Sequence, residues 1–225
     1  NIPAIQLAEK LTEITPPDLT RVFYSDSGAT AVEIAVKMAF QYWQQRSDPQ
    51  PNKTKYIALG SAYHGDTLGS VSVGGVQRFH EMFKPLLFDV LRIASPDTYR
   101  LPADVAKPQD ATQYYLNQLE SLLQQHHSTI AAMIIEPVVQ GAAGMIMQPL
   151  GYLAGVRQLT QKHDVLLIAD EVAVGFGRTG AMFACNHENI QPDLMCLAKG
   201  LTGGYITMAA TLATTEIWNA FLGDP

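Results

Sequence analysis

Two short apolar runs in the second half of the chain each end in a charged residue, and this feature constrains the fold most. Val165–Ala169 reads as a strand and stops at Asp170. Leu194–Ala198 reads as a strand and stops at Lys199, 29 residues further on. An unpaired charge at the end of a buried run is costly, so a carboxylate and an amine in these places imply work to do. In open α/β sheets, ligands bind outside the carboxyl ends of the strands. The two runs are therefore expected to lie side by side, presenting Asp170 and Lys199 to one cleft.

The rest of the chain supports such a sheet. Ile2–Ile14 has helical spacing and is closed by Thr15-Pro16-Pro17. Further strands are expected at Arg21–Ser25, Lys55–Leu59, Ala131–Ile135 and Thr207–Thr214. Helices are expected after Thr30, over Asp110–His126 and over Tyr152–His163. In the helix after Thr30, Val32, Ala35, Val36, Ala39, Phe40 and Trp43 share one apolar face. Gly69–Gly75 fits either state, and Phe79–Pro108 is irregular. Strands that alternate with helices, each a nearly continuous apolar run, predict an α/β fold with a mostly parallel sheet covered by helices on both faces. The chain opens inside a helical pattern without an initiator Met, so residues 1–225 are expected to be one large domain of a longer polypeptide.

Composition narrows the partners. A formal charge of −6 with no long run of one sign argues against nucleic acid or an anionic membrane. No apolar stretch reaches the roughly 18 residues of a membrane span, and the residues from Asn1 do not read as a basic-then-apolar signal peptide. Cys185 and Cys196, without a CxxC pair, suit a reduced, cytoplasmic protein in which both are small buried hydrophobes.

A strand-end lysine and a strand-end carboxylate are the pair that a pyridoxal 5′-phosphate enzyme needs: the lysine forms the Schiff base and the acid pairs with the pyridinium nitrogen. The apolar run before Lys199 would desolvate its amine and lower its pKa, and the glycines after it leave room. Ser27-Gly28-Ala29 lies between a strand and a helix, where free N–H groups and the helix dipole bind phosphate, although Ser27 also suits a simple N-cap. Tyr63 follows the second strand, where its ring could stack on a cofactor or face a substrate. His64 and Asp66 lack the further ligands a metal would need, so no metal is expected. Gly175–Gly180 is a literal GxGxxG, but it follows Asp170-Glu171, which would repel a pyrophosphate, and no amphipathic helix follows it. Arg178 within it reads as a surface or substrate-facing cation.

The stretches SDSGATAVEIAVKMA, YHGDTLG, IIEPVVQGAAGM, LLIADEVAVGFGRTG and LAKGLTGG resemble, in order, the class III (fold type I) PLP-dependent aminotransferases. The text between them, such as FACNHENIQPDLMCLAKGLTGGYITMAATLAT, is most similar to the branch of that family that serves biotin biosynthesis. The resemblance implies a three-layer PLP-transferase large domain over residues 1–225, with the family's N-terminal segment and C-terminal small domain lying outside it. It implies that Lys199 holds the cofactor and moves the proton, and that Asp170 pairs with the ring nitrogen. It places Val172 on one ring face and Tyr63 near the other and near the substrate. Ser27, Gly28 and Ala29 bind the phosphate, and Arg178 lies close to the substrate. Val174 departs from the Thr common in relatives. The implied reaction moves an amino group from S-adenosylmethionine, or from lysine, onto the oxo acid 8-amino-7-oxononanoate, in a homodimer with shared active sites. The rival expectations are another class III enzyme acting on an ω-amino acid or diamine, and a non-catalytic piece of such an enzyme.

Overall fold

The computed structural model describes residues 1–222; the last three positions of the expected 1–225 domain lie outside the described residues. In chain order the elements are α1 (Ile2–Ile14), β1 (Leu19–Ser25), α2 (Gly28–Gln45), β2 (Lys55–Leu59), α3 (Leu68–Val73), α4 (Gln77–His80) and β3 (Val90–Ile93). There follow α5 (Ala111–His126), β4 (Ile130–Ile135), β5 (Val139–Gln140), β6 (Ile146–Met147), α6 (Tyr152–Lys162), β7 (Leu166–Asp170), β8 (Leu194–Leu197), β9 (Ala209–Thr214) and α7 (Thr215–Asn219).

Seven strands form one sheet in the order β1-β9-β8-β7-β4-β2-β3. Only β9 runs against its two neighbours; the other pairings are parallel. The mostly parallel α/β sheet expected from the sequence is present. β4 and β7 are buried along their whole length, as central parallel strands covered on both faces must be. Alternate strand residues feed two cores. Ile57, Met133, Ile135, Leu167 and Leu197 face α1, α5 and α6. Ala58, Ile134, Ile168 and Cys196 face α2 and α7. Helix–sheet–helix layering follows directly from that alternation. Among the described residues no helix is long and apolar enough to cross a membrane.

Local chemistry sets the element ends. Thr15 closes α1 by donating its hydroxyl to the Leu11 carbonyl at 2.8 Å, and Pro16 and Pro17 cannot extend it. α2 begins with a capping box: Ser27 Oγ accepts from Thr30 N at 3.2 Å, and Thr30 Oγ1 accepts from Ser27 N at 2.9 Å. Its inner face carries Tyr42 and Trp43, whose indole donates to Ala131 O at 2.8 Å. Phe40, expected on that face, is 43% exposed, whereas Tyr42 is 3% exposed. The tyrosine ring fills the core while its hydroxyl reaches Glu216 at 2.6 Å, so a polar tip conceals an inward-facing residue.

The segment Phe79–Pro108, read as irregular, contains the edge strand β3, parallel to β2. It is four residues long and interrupted by Arg92, whose guanidinium donates to Ser72 O at 2.7 Å. The ambiguous Gly69–Gly75 stretch is helix α3 over Leu68–Val73. Its small residues are required by packing: a Cβ at Gly69 would lie 2.5 Å from the Glu33 carboxylate oxygens.

Lys53 is buried at the amino ends of the central strands, 2% exposed. Its ammonium donates to the carbonyls of His127, Ile130 and Asp164 and lies 4.2 Å from the Trp43 ring centroid. Burial pulls its pKa down from 10.5 to about 8, against the opposing pull of Asp164. Between those two values the unfolded chain binds a proton that the folded chain does not, so stability rises with pH across that window. Lys53→Met should lack this rise, so wild type gains on the variant from pH 8 to 10. Denaturant midpoints measured for both proteins across that range check it; parallel profiles would refute it.

Candidate active site

The cleft lies at the carboxyl edge of the sheet and has a volume of about 970 Å³. β7 and β8 are parallel neighbours, with Asp170 opposite Cys196, so the strand-end carboxylate and the strand-end amine open into the same space. All eight residues singled out from the sequence line this cleft: Ser27, Gly28 and Ala29 after β1, Tyr63 after β2, Asp170 and Val172 at the end of β7, Arg178 beyond them, and Lys199 after β8.

Asp170 is 4% exposed and doubly held. Its Oδ2 is 2.7 Å from His64 Nδ1, and its Oδ1 accepts from Val172 N at 3.1 Å. These contacts fix the carboxylate plane and leave lone-pair capacity on Oδ1. The neighbouring Glu171 points elsewhere. It is fully buried and accepts from Ala184 N at 2.9 Å and Cys185 N at 2.8 Å. Burial pushes its pKa up against those two N–H bonds. Of the adjacent acids, Asp170 serves the cleft and Glu171 anchors a turn.

Lys199 differs from expectation. The run Leu194–Ala198 is buried, but the Lys199 side chain is exposed in the open cleft and not enclosed by that run. The cause is its backbone: φ is +43° at Lys199, and this left-handed turn lifts the side chain off the strand line. Gly200 is required here because a Cβ would meet Phe176 Cβ at 2.7 Å.

At the start of α2 the Ser27 hydroxyl is used by the capping box, so it behaves as the N-cap considered from the sequence. The backbone N–H groups of Gly28 and Ala29 have no acceptor among the described residues. Val172 packs against this helix end so closely that a Cβ at Gly28 would lie 2.6 Å from Val172 Cγ1. At Gly65, φ is +118° and a Cβ would lie 2.4 Å from Ala29 Cβ. Two glycines thus let three cleft walls converge on the helix end.

Tyr63 donates its hydroxyl to Asp66 Oδ2 at 2.7 Å, and its pKa is pushed up to about 12, first by burial and then by Asp66. Glu136, at the end of β4, accepts from Tyr63 N at 3.1 Å and from Gly141 N at 2.9 Å. It joins two cleft walls, and burial raises its pKa. Arg178 is exposed and forms no ion pair among the described residues. Gly175–Gly180 forms no helix, only turns in which Phe176, Gly177 and Gly180 have positive φ, so it is not a dinucleotide fingerprint. Val174 is buried.

Sequence reasoning missed the partnership of His64 with Asp170 and the bridging role of Glu136. His64 had been weighed only as a metal ligand. The signal available was its place beside Tyr63 at a strand end.

A family model for aminotransferase class-III matches residues 1–224. The chain belongs to the class III aminotransferase family. It is 55% identical over 221 residues to the adenosylmethionine-8-amino-7-oxononanoate aminotransferase of Geobacter sulfurreducens, covering 98% of this chain and 48% of that protein. The enzyme of the same description from Methanocaldococcus jannaschii has a crystal structure that superposes with a TM-score of 0.88 at 47% identity, over 100% of this chain and 48% of that one. An amine transaminase from an uncultivated Pseudomonas species, solved in a PLP-bound form, superposes with a TM-score of 0.88 at 41% identity, over 96% of this chain and 48% of that one. The chain thus spans about half the length of the family members it matches.

Proposed function

We propose that this chain forms the cofactor-binding domain of a pyridoxal phosphate-dependent aminotransferase of biotin biosynthesis. Its reaction would convert 8-amino-7-oxononanoate to 7,8-diaminononanoate, with S-adenosylmethionine as amino donor. The observation that carries the proposal is the meeting of Asp170, Lys199 and the free N–H groups of Gly28 and Ala29 in one cleft.

The residues present fit the cofactor. A phosphate suits the unpartnered N–H groups at the start of α2, where the helix dipole favours an anion. The remaining acceptor capacity of Asp170 suits a protonated ring nitrogen. Val172, packed against the start of α2, offers an apolar surface, and Tyr63 also lines the cleft. When bound, pyridoxal phosphate supplies an electron sink for the pair left behind when a proton leaves the substrate carbon.

The chain's own residues do the rest. Lys199 carries the only amine lining the cleft among the described residues, so it is the group to hold the cofactor and then, released, to carry the proton. Its fixed placement makes that transfer effectively intramolecular. Asp170 would pair with the ring nitrogen, and His64 with Val172 N holds the Asp170 carboxylate in place. Arg178, a cation with no ion pair among the described residues, is placed to face the substrate. The protein is proposed to act as a cytoplasmic homodimer with shared active sites. The free, buried Cys185 and Cys196 suit a reducing compartment.

The high identity to an enzyme named for S-adenosylmethionine and 8-amino-7-oxononanoate favours this reading over an ω-amino acid enzyme. An acceptor and donor screen on the full-length protein tests it. The highest kcat/KM is expected for 8-amino-7-oxononanoate with S-adenosylmethionine. Faster turnover of a terminal amine with a simple oxo acid would move the chain to the rival class.

A further inference from the structure

Arg178 lines the cleft with no ion pair among the described residues, so its position depends on the backbone that carries it. That backbone is a tight loop with φ values of +56° at Phe176, +86° at Gly177 and +94° at Gly180. Its own bonds are few: Gly177 N donates to Met182 O at 3.1 Å and Gly180 N to Gly177 O at 3.1 Å. One side chain from outside grips the loop next to Arg178. His187 Nε2 is 3.0 Å from Thr179 O and 3.0 Å from Thr179 Oγ1.

His187 is itself firmly mounted. It sits on the 3₁₀ turn Ala184–Glu188. The buried Glu171 carboxylate holds the start of this turn through the N–H groups of Ala184 and Cys185. Phe183 N donates to Asn186 Oδ1 at 2.9 Å. The Glu188 carboxylate accepts from Gly151 N at 2.8 Å and Ala154 N at 2.7 Å, fastening the turn to the start of α6. The loop also rests on this platform through the Phe176 and Phe183 rings, 5.4 Å apart. A continuous set of contacts therefore runs from Glu171, the neighbour of Asp170, through the turn to Thr179 and so to Arg178.

We propose that His187 is a positioning residue: by holding Thr179 it fixes Arg178 in the cleft and so sets the affinity for the substrate that Arg178 faces. With its proton on Nε2, the ring donates to the Thr179 carbonyl. The proposal rests on Arg178 being a substrate-binding cation, and the test separates the two claims.

Steady-state kinetics of the full-length holoenzyme should be measured for Arg178→Ala, His187→Ala, His187→Gln and the Arg178→Ala/His187→Ala double variant, with each carboxylate substrate varied. His187→Ala is expected to raise the KM of the substrate that Arg178→Ala affects by roughly 3- to 10-fold, the scale of one lost hydrogen bond. The kcat should stay within about twofold, because no group that touches the reacting atoms has changed. The double variant should be no worse than Arg178→Ala, and His187→Gln, whose amide can reach the same carbonyl, should restore most of the affinity. In the cofactor-free protein, trypsin should cut after Arg178 several-fold faster in His187→Ala, since the loop loses its outside grip. An unchanged KM in His187→Ala beside a raised KM in Arg178→Ala overturns the positioning role and leaves the role of Arg178 standing. Effects that multiply in the double variant, or an unchanged cleavage rate, also overturn it. If Arg178→Ala leaves every KM unchanged, the substrate-binding role falls, and this proposal with it.

Discussion

Lys199→Ala is expected to lower kcat/KM by about 10⁵-fold or more while leaving the fold intact. In the proposed reaction the amine acts from within the cleft, and well-oriented intramolecular groups have effective molarities of about 10⁵–10⁸ M, which no solvent base can match. The structural cost should be small. The side chain is exposed and makes no hydrogen bond to a side chain among the described residues, so its removal opens no cavity in the core. The left-handed backbone, with φ at +43°, is strained for lysine and alanine alike, so the exchange adds no new strain. Turnover and thermal unfolding measured on the same preparation check both halves. Residual activity within 100-fold of wild type would remove Lys199 from the chemistry.

Asp170→Asn is expected to slow turnover by about 100- to 1000-fold, the usual cost of losing one electrostatic group aimed at developing charge. The amide keeps an oxygen for Val172 N, but it offers the ring nitrogen no negative charge. Cofactor binding should change far less, because the free N–H groups proposed to hold the phosphate lie at the start of α2. Glu171→Gln should behave in the opposite way. Its carboxylate accepts two backbone N–H groups and faces no part of the cleft, so stability should fall while the chemistry persists. Near-normal turnover in Asp170→Asn would transfer the role to Glu136, the other buried carboxylate lining the cleft.

These proposed roles and their surroundings were legible in the sequence to different degrees, for physical reasons. Asp170 and Lys199 stood out because each ends an apolar run, and a charge in that place needs a purpose. The helix start at Ser27–Ala29 was readable because capping chemistry is local. The bond between His64 and Asp170 was not readable, because it joins positions 106 residues apart and only the parallel pairing of the strands brings them together. The reversed direction of β9 escaped for the same reason: side-chain alternation marks a strand but not its orientation. β3 was lost to its brevity and to Arg92, and Tyr42 was passed over for Phe40 because its hydroxyl bond to Glu216 lies far away in sequence. The exposure of Lys199 was misjudged because composition around a residue does not disclose a positive φ.

The most direct test of the account is chemical trapping of the cofactor. Borohydride reduction of the full-length protein loaded with pyridoxal phosphate, followed by peptide mapping, should place a single stable pyridoxyl group on Lys199. Lys37 and Lys162 lie outside the cleft and should remain unlabelled. A pyridoxyl group on either of them, with Lys199 unmodified, would contradict the assignment of this cleft as the cofactor site.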